Sequence, residues 1–352
     1  MESMGLREFY KGKRVLVTGA TGFKGSWLCY WLYKMGTNVS GIGLPPVTIL
    51  SHYDLLDLDH KICCLKETLL NYTEIAKFID NTKPEIVIHL AANAIVAKTF
   101  DDPKETFENN IMATVNLLEA SRHCESVKSI VMITTDKVYE NEEWNWPYRE
   151  NDILGGLDPY SASKVCCEHV ISCYRTQFMP YIATARAGNV IGGGDWAYAR
   201  LIPDIAQAAA KGKVVEIHTP YATRPWQHVL EPLRGYLILG KKLYDYGAEF
   251  ARPWNFGPQG EMTVMDILKV ASETWDKVKY EVKPKETHPS MVQLLKIDSS
   301  EAKKKLGWHS LWTMNYSIHR AIRWYKEFYE NGIVLTDIDI YDYEREMDYE
   351  NM

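Results

Sequence analysis

Short β-branched runs alternate with helical patterns through the first half of this 352-residue chain, and a glycine-punctuated turn joins the first run to the first helix. These observations predict an α/β protein built on a Rossmann-type doubly wound parallel sheet, because continuous apolar runs suit strands covered on both faces. After Gly192-Gly193-Gly194 the texture changes to loops rich in Trp, Pro and Arg, which predicts a smaller C-terminal α/β lobe sharing a cleft with the sheet.

Arg14 to Thr18 reads as the first strand, and Phe23 to Met35 as the helix after the turn. Asn38 to Ile42 is a second strand, closed by Pro45-Pro46. Ile86 to Leu90 and Ser129 to Thr134 are further strands, separated by a helical pattern from Glu105 to His123. Tyr160 to Gln177 is a helix and Tyr181 to Ala187 the next strand. Short helices follow at Leu201 to Lys211, Thr263 to Val278 and Asn315 to Glu330. The expected division is a sheet domain over 1–190, completed by about 229–258, and a second lobe over 191–228 and 259–335. The acidic stretch 336–352 reads as a solvated tail.

Composition narrows the function. A hydrophobic content of 46% is enough for a large core, and a net charge of -6 provides no basic field for nucleic acid. No apolar run reaches the length of a membrane helix, and Met1 to Lys13 is too polar for a signal peptide, so a cytoplasmic protein is expected. Seven cysteines include the adjacent pairs Cys63-Cys64 and Cys166-Cys167, which fit reduced thiols better than a disulfide framework. With the histidines scattered, no metal is expected.

The turn Gly19-Ala20-Thr21-Gly22-Phe23-Lys24-Gly25 places glycines three apart between strand and helix. Glycine there permits a tight turn and the approach of backbone amides to a pyrophosphate at the positive helix end. The second strand ends in Gly41-Ile42-Gly43-Leu44, with neither an acid for a ribose hydroxyl nor an arginine for a 2′-phosphate.

The densest chemistry lies between residues 134 and 164. Tyr160 and Lys164 are four apart, so they share a helix face. Spacing alone proves little in a chain with 22 tyrosines, and Tyr30 with Lys34 repeats it. Tyr160 differs in its place at a helix start after Asp158-Pro159, downstream of a strand end. Bringing a tyrosine from near 10 to near 7 takes about 4 kcal/mol of phenolate stabilisation. An exposed ion pair offers about 1 kcal/mol or less, so the pair requires an enclosed cleft holding a further positive charge. Thr135 at the strand end can hydrogen-bond the same sugar hydroxyl. Asp136 and Lys137 then supply an acid and a base for an elimination. Together these residues suit an enzyme that oxidises its substrate temporarily, eliminates a group and reduces the product again.

The chain resembles the extended short-chain dehydrogenase/reductase family, and within it the CDP-glucose 4,6-dehydratases. The resemblance rests on GATGFKGSWL from Gly19, PEIVIHLAAN from Pro84, TTDKVYEN from Thr134, DPYSASK from Asp158, ARAGNVIGGGDW from Ala185 and RPWQHVLEPLRGYL from Arg224. It spans roughly Lys13 to Glu330, and the lysine of the Thr-Asp-Lys triplet is its specific mark. It implies NAD held by Gly19, Thr21, Gly22, Phe23, Gly25, Leu90, Ala91, Ala92, Asn110, Thr134, Tyr160 and Lys164. Tyr160 would act as base at sugar C4, Lys137 would take the C5 proton and Asp136 would protonate the departing C6 hydroxyl. Arg186, Asn189, Arg200, Arg224 and Asn255 would line the nucleotide-sugar site, with CDP-glucose as the expected substrate and a homodimer or tetramer as the expected assembly. Three departures stand out: Ala20 replaces a histidine, Asn93 replaces a glutamine, and Glu67 to Asn71 replaces the segment that normally meets adenine. A 4-epimerase, a 4-oxidase or a dehydratase of another nucleotide-linked hexose or heptose is the alternative, and a non-catalytic NAD-sensing protein is a third reading. The Asp136-Lys137 pair separates the first from an epimerase, which has no use for it.

Overall fold

The computed structural model describes residues 2–258, 260–284 and 294–349. Its centre is a sheet of seven strands: β1 Arg14–Thr18, β2 Asn38–Ile42, β3 Cys63–Leu65, β4 Ile86–His89, β5 Ser129–Ile133, β6 Ile182–Ala187 and β7 Pro253–Phe256. They run in the order β7-β6-β5-β4-β1-β2-β3, with every neighbouring pair parallel. The four residues of β4, the five of β5 and the six of β6 are all buried, which is why these runs lack polar alternation. Strand order reverses between β1 and β4, so the crossovers on either side part there and open a crevice at the carboxyl ends.

Apolar layers cover both faces. One gathers Leu16, Ile42, Ile75, Val87, Leu117 and Ile182. The other holds Trp27, Trp31, Ile86, Val131, Leu237 and Trp254, and continues into the C-terminal part of the chain. Helix α1, Phe23–Lys34, follows the glycine turn, and helix α2, Pro159–Gln177, carries Tyr160 and Lys164. Helix α3, Leu230–Tyr246, lies against the second face, with Ser129 Oγ donating to the Gly240 carbonyl at 2.8 Å. Outside the sheet, three two-stranded ribbons and the helices Leu201–Ala210, Val264–Thr274, Ser300–Leu306 and α4, Met314–Asn331, flank the crevice.

Several local outcomes differ from the sequence pattern. The helical pattern from Glu105 to His123 divides into Pro103–Phe107, a π-helical turn at Glu108–Met112 and Ala113–Arg122. That wider turn carries Asn110, a common use of π geometry at functional sites. The structure also forms helices at Glu2–Tyr10 and Tyr72–Thr82 and the three-residue strand β3, which are additional to the elements expected from the sequence.

The acidic stretch 336–352 is corrected. It is a packed helix, α5, Thr336–Tyr349, and residues 350–352 lie outside the described residues. Thr336, Asp339, Ile340, Tyr343 and Met347 form one buried face at helical spacing. Asp339 accepts from Arg320 Nε at 2.9 Å, and the Tyr343 hydroxyl donates to Glu231 at 2.7 Å. Asp337 holds both Tyr30 and Lys34, each at 2.9 Å. The acids thus have partners far away in sequence, and a local charge count does not reveal them.

Candidate active site

The glycine turn is built for close approach. Gly19 has φ +68°, and a Cβ there would stand 2.8 Å from the Ala91 amide. A Cβ on Gly25 would stand 1.9 Å from the Gly19 carbonyl oxygen, so the helix can start this close to the turn only with glycine. Gly22 caps α1 without any side-chain acceptor, which leaves the first-turn amides of Phe23, Lys24 and Gly25 facing the crevice end of β1. Thr21 Oγ donates to the Leu44 carbonyl at 2.6 Å and fills the space over Gly43. Leu90, Ala91 and Ala92 follow β4 on the opposite bank, with the Leu90 amide donating to Thr18 at 3.1 Å. These uncapped amides and the Cβ-free cradle fit the pyrophosphate of a dinucleotide.

Asn110 ties the next wall together. Its Oδ1 accepts from the Asn93 amide at 2.7 Å, and its Nδ2 donates to Ser163 Oγ at 2.8 Å. The side chain thus links the loop after β4 to α2, one residue from Lys164. Thr134 turns away from the crevice and donates to Glu168 at 2.6 Å.

Beyond β5, Thr135 caps a short 3-10 turn, Asp136–Val138, and accepts from the Lys137 amide at 3.3 Å. Its hydroxyl donates to Asp136 Oδ1 at 3.1 Å, whereas the buried Asp136 Oδ2 has no hydrogen-bond partner among the described residues. Burial pushes the Asp136 carboxyl up, against the opposing charges of Lys137 and Arg224 and the hydrogen bond from Thr135. A carboxyl held toward its protonated form, with one oxygen free, is suited to donating a proton. Lys137 stands half-buried beside it.

Tyr160 begins α2 behind a capping box in which Asp158 and Ser161 satisfy each other. Burial pushes the phenol up to about 12, while a hydrogen bond with Thr135 and the charge of Arg200 work the other way. Lys164 donates its ammonium to the Ile133 carbonyl at 3.0 Å, and burial lowers its pKa. The chain's own groups therefore place the phenol but hold it in its protonated form. The further positive charge required by the sequence argument must come with a ligand.

Two of the expected substrate contacts are not brought to the cleft. Arg186 is fully buried, with Nε and Nη2 on the two oxygens of Glu168 at 2.9 and 3.0 Å and Nη1 shared between Tyr139 Oη and the Glu150 carbonyl. Four of its five N–H groups are thereby engaged, so a diphosphate would have to displace an internal network. Asn255, its register partner on β7, accepts from Tyr139 and donates to the carbonyls of Tyr148 and Asp298. Both residues hold the ends of β6 and β7. By contrast Asn189 is half-buried in the loop after β6. Arg200 is partly exposed and pairs with Asp195 at 2.7 Å, and Arg224 acts electrostatically on Asp136. Glu168 was not singled out from sequence. Glu168 lies one helical turn after Lys164, which is the signal that could have found it.

The chain matches the family described as GDP-mannose 4,6 dehydratase over residues 16–321. It is 41% identical to the CDP-glucose 4,6-dehydratase of Salmonella typhimurium across 96% of this chain and 98% of that protein. A dTDP-glucose 4,6-dehydratase of the same organism is 24% identical over 89% of this chain and 92% of its own length. Among solved structures, a UDP-glucose 4-epimerase of Thermotoga maritima superposes with a TM-score of 0.79 at 22% identity, covering 90% of this chain and 99% of its own. Another UDP-glucose 4-epimerase, from Stenotrophomonas maltophila with bound NAD, gives 0.80 at 21% identity, covering 90% and 98%. The structural likeness establishes the shared fold, and the family match together with the full-length relative goes further: this chain belongs to the GDP-mannose 4,6-dehydratase family.

Proposed function

We propose that the protein is an NAD-dependent nucleotide-sugar 4,6-dehydratase, a hydro-lyase that converts CDP-glucose to CDP-4-keto-6-deoxyglucose. The observation that carries the reading is the placement of Thr135, Asp136 and Lys137 at the end of β5, beside Tyr160 and Lys164 at the start of α2. The Gly19–Gly25 turn would hold NAD, which would supply reversible hydride transfer between sugar carbons C4 and C6 and so leave the reaction redox-neutral overall.

The chain's residues move the protons. Tyr160 takes the proton of the C4 hydroxyl, with Thr135 bonded to the same oxygen. The resulting ketone acidifies C5, and Lys137 removes that proton. Asp136 gives a proton to the C6 hydroxyl, which departs as water. The free Oδ2 of Asp136, raised toward protonation by burial, supports this assignment. Arg200, Arg224 and Asn189 are assigned to the nucleotide sugar, and Arg186 and Asn255 to holding the strand ends. The sheet domain carries the cofactor and the ribbon-bearing lobe the substrate. A cytoplasmic homodimer or tetramer completes the proposal.

The test is direct. Purified protein, with and without added NAD, is incubated with CDP-, dTDP-, UDP- and GDP-hexoses, and product mass is read for loss of water. Dehydration confined to CDP-glucose supports enzyme class and substrate together. Dehydration of another nucleotide hexose corrects the substrate alone, and epimer without mass change rejects the elimination.

A further inference from the structure

His89 ends β4 directly before the Leu90-Ala91-Ala92 wall, is 2% exposed, and has no part in the chemistry assigned above. Both of its ring nitrogens have partners. Nδ1 lies 2.7 Å from Thr18 Oγ at the end of β1, and Nε2 lies 3.4 Å from Thr114 Oγ on the helix Ala113–Arg122. The contacts continue on either side. Thr18 Oγ accepts from the Ala91 amide at 3.4 Å, and Thr114 donates to the Asn110 carbonyl at 2.8 Å. Cys167 Sγ on α2 donates to the same carbonyl at 3.2 Å. Asn110 Nδ2 reaches Ser163 Oγ at 2.8 Å, and Ser163 Oγ donates to the Tyr160 carbonyl at 2.7 Å. A buried chain of hydrogen bonds therefore runs from the end of β1, through the imidazole, to the start of α2.

The direction of the chain follows from its donors. A threonine hydroxyl has one proton, and Thr114 spends it on the shorter bond, to the Asn110 carbonyl. Toward His89 it therefore accepts, so Nε2 carries the ring hydrogen. In a neutral imidazole Nδ1 is then the acceptor, and the Thr18 hydroxyl fills it. The Thr18 oxygen is left to take the Ala91 amide. Burial, with the charge of Lys164 nearby, lowers the His89 pKa to about 3, which keeps the ring in this one form. An apolar residue at 89 would fill the space but cut the link between Thr18 and Thr114, stranding two buried hydroxyls.

We propose that His89 is a positioning residue for the oxidation step: as its Nε2–H tautomer it ties the end of β1 to the turn bearing Asn110, and through Asn110 and Ser163 it fixes the first turn of α2, where Tyr160 stands. This rests on the dehydratase reading, in which Tyr160 takes the C4 hydroxyl proton. Being buried, His89 acts through Asn110 and not on the ligand. Its effect therefore belongs to the rate of the first chemical step, which loses about 10²-fold when a reacting group moves by about 1 Å.

The experiment cuts the link at two places and restores it at each. His89→Asn can still meet Thr18 but is too short for Thr114, whereas His89→Gln carries an amide N–H near the Nε2 position. Thr114→Val removes the hydroxyl, and Thr114→Ser keeps it. The single-turnover rise of NADH absorbance is measured at saturating NAD and the nucleotide hexose that the protein dehydrates, with NAD affinity and KM alongside. H89N and T114V should slow the rise by about tenfold or more, with NAD affinity and KM within about twofold of wild type. H89Q and T114S should stay within about threefold, and H89N/T114V should be within about twofold of T114V, because both changes cut one link. A readout without turnover is the long-range ¹H–¹⁵N correlation of ¹⁵N-histidine-labelled protein. The resonances lost in H89N should be those of an Nε2–H tautomer that does not change between about pH 6 and 8. An Nδ1–H or protonated ring overturns the inference, as do wild-type rates in H89N and T114V, or equal slowing in H89N and H89Q. If H89N does not fold, T114V against T114S decides. Wild-type protein without an NADH transient refutes the dehydratase reading and the inference with it, whereas variants at the wild-type rate refute the inference alone.

Discussion

Lys164 gives its ammonium to the carbonyl of Ile133 at 3.0 Å, which fastens the helix bearing Tyr160 to the strand whose next residues are Thr134, Thr135, Asp136 and Lys137. One buried hydrogen bond thus holds the groups proposed for oxidation and elimination in register. Asn110 braces the same helix from the other side through Ser163.

Tyr160→Phe keeps the ring and removes the proton acceptor. Because Tyr160 is 9% exposed and packed at the helix start, the variant should fold normally. Turnover is expected to fall by about 10²–10⁴-fold, the usual contribution of a placed acid or base. Stopped-flow absorbance of transient NADH would show the first step suppressed, and an unchanged transient would remove Tyr160 from its role.

Asp136 sets a pH limb. An acid acts only while protonated, and burial raises this carboxyl, so it keeps its proton to higher pH than an exposed aspartate. The rate of water loss should therefore decline as pH rises through the shifted range. Asp136→Asn is expected to abolish that limb and lower elimination by about 10²–10⁴-fold while C4 oxidation continues. Lys137→Met should likewise oxidise without eliminating. Full turnover in either variant would contradict its assignment.

The Glu168–Arg186 pair governs stability rather than chemistry. Burial raises the Glu168 carboxyl, but Arg186, Thr134 and Thr184 outweigh it and hold the group below the usual range. A depressed carboxyl contributes its stability above the unfolded-state value and loses it as pH falls through the folded one. Glu168→Gln leaves Arg186 uncompensated in the core and should cost about 3–5 kcal/mol. Urea denaturation measures this. The Glu168→Leu/Arg186→Met double variant should lose less than the sum of its single changes.

Gly25→Ala and Gly22→Ala form a graded pair. The first places a Cβ 1.9 Å from a backbone oxygen, the second only 3.3 Å from the same atom. Overpacking of the first kind costs about 1–3 kcal/mol or more. NAD affinity measured by fluorescence titration should drop strongly in G25A and less in G22A. The reverse order would mean that the cradle is not shaped by the Gly19–Gly25 approach.

Removing residues 336–352 tests the corrected tail. Arg320 would lose Asp339, and Glu231 would lose the Tyr343 hydroxyl. Stranding the arginine alone should cost about 3–5 kcal/mol. A truncated chain with the wild-type urea midpoint would show that α5 contributes nothing.

The two Tyr-x-x-x-Lys pairs show how far local reading reaches. Tyr30 with Lys34 has the same spacing as Tyr160 with Lys164, yet both of its members grip Asp337 on α5. Position after a strand and an Asp-Pro helix start is what separates them in the sequence. Strands β1, β2, β4, β5 and β6 were legible as short runs between turns, whereas β3 and β7 were not read. The internal partners of Arg186 and Asn255 were not legible, because a guanidinium or an amide looks the same in sequence whether it meets a ligand or Glu168 and Tyr139.

The sequence by itself determined the parallel sheet, the glycine turn and the residues able to carry the chemistry, since periodicity, turn stereochemistry and side-chain type are all local properties. Only the tertiary structure decided which charges are internal and which face the cleft. That choice depends on partners tens to hundreds of residues away, such as Glu231 with Tyr343 and Arg320 with Asp339, whose pairing requires the completed core to exclude water.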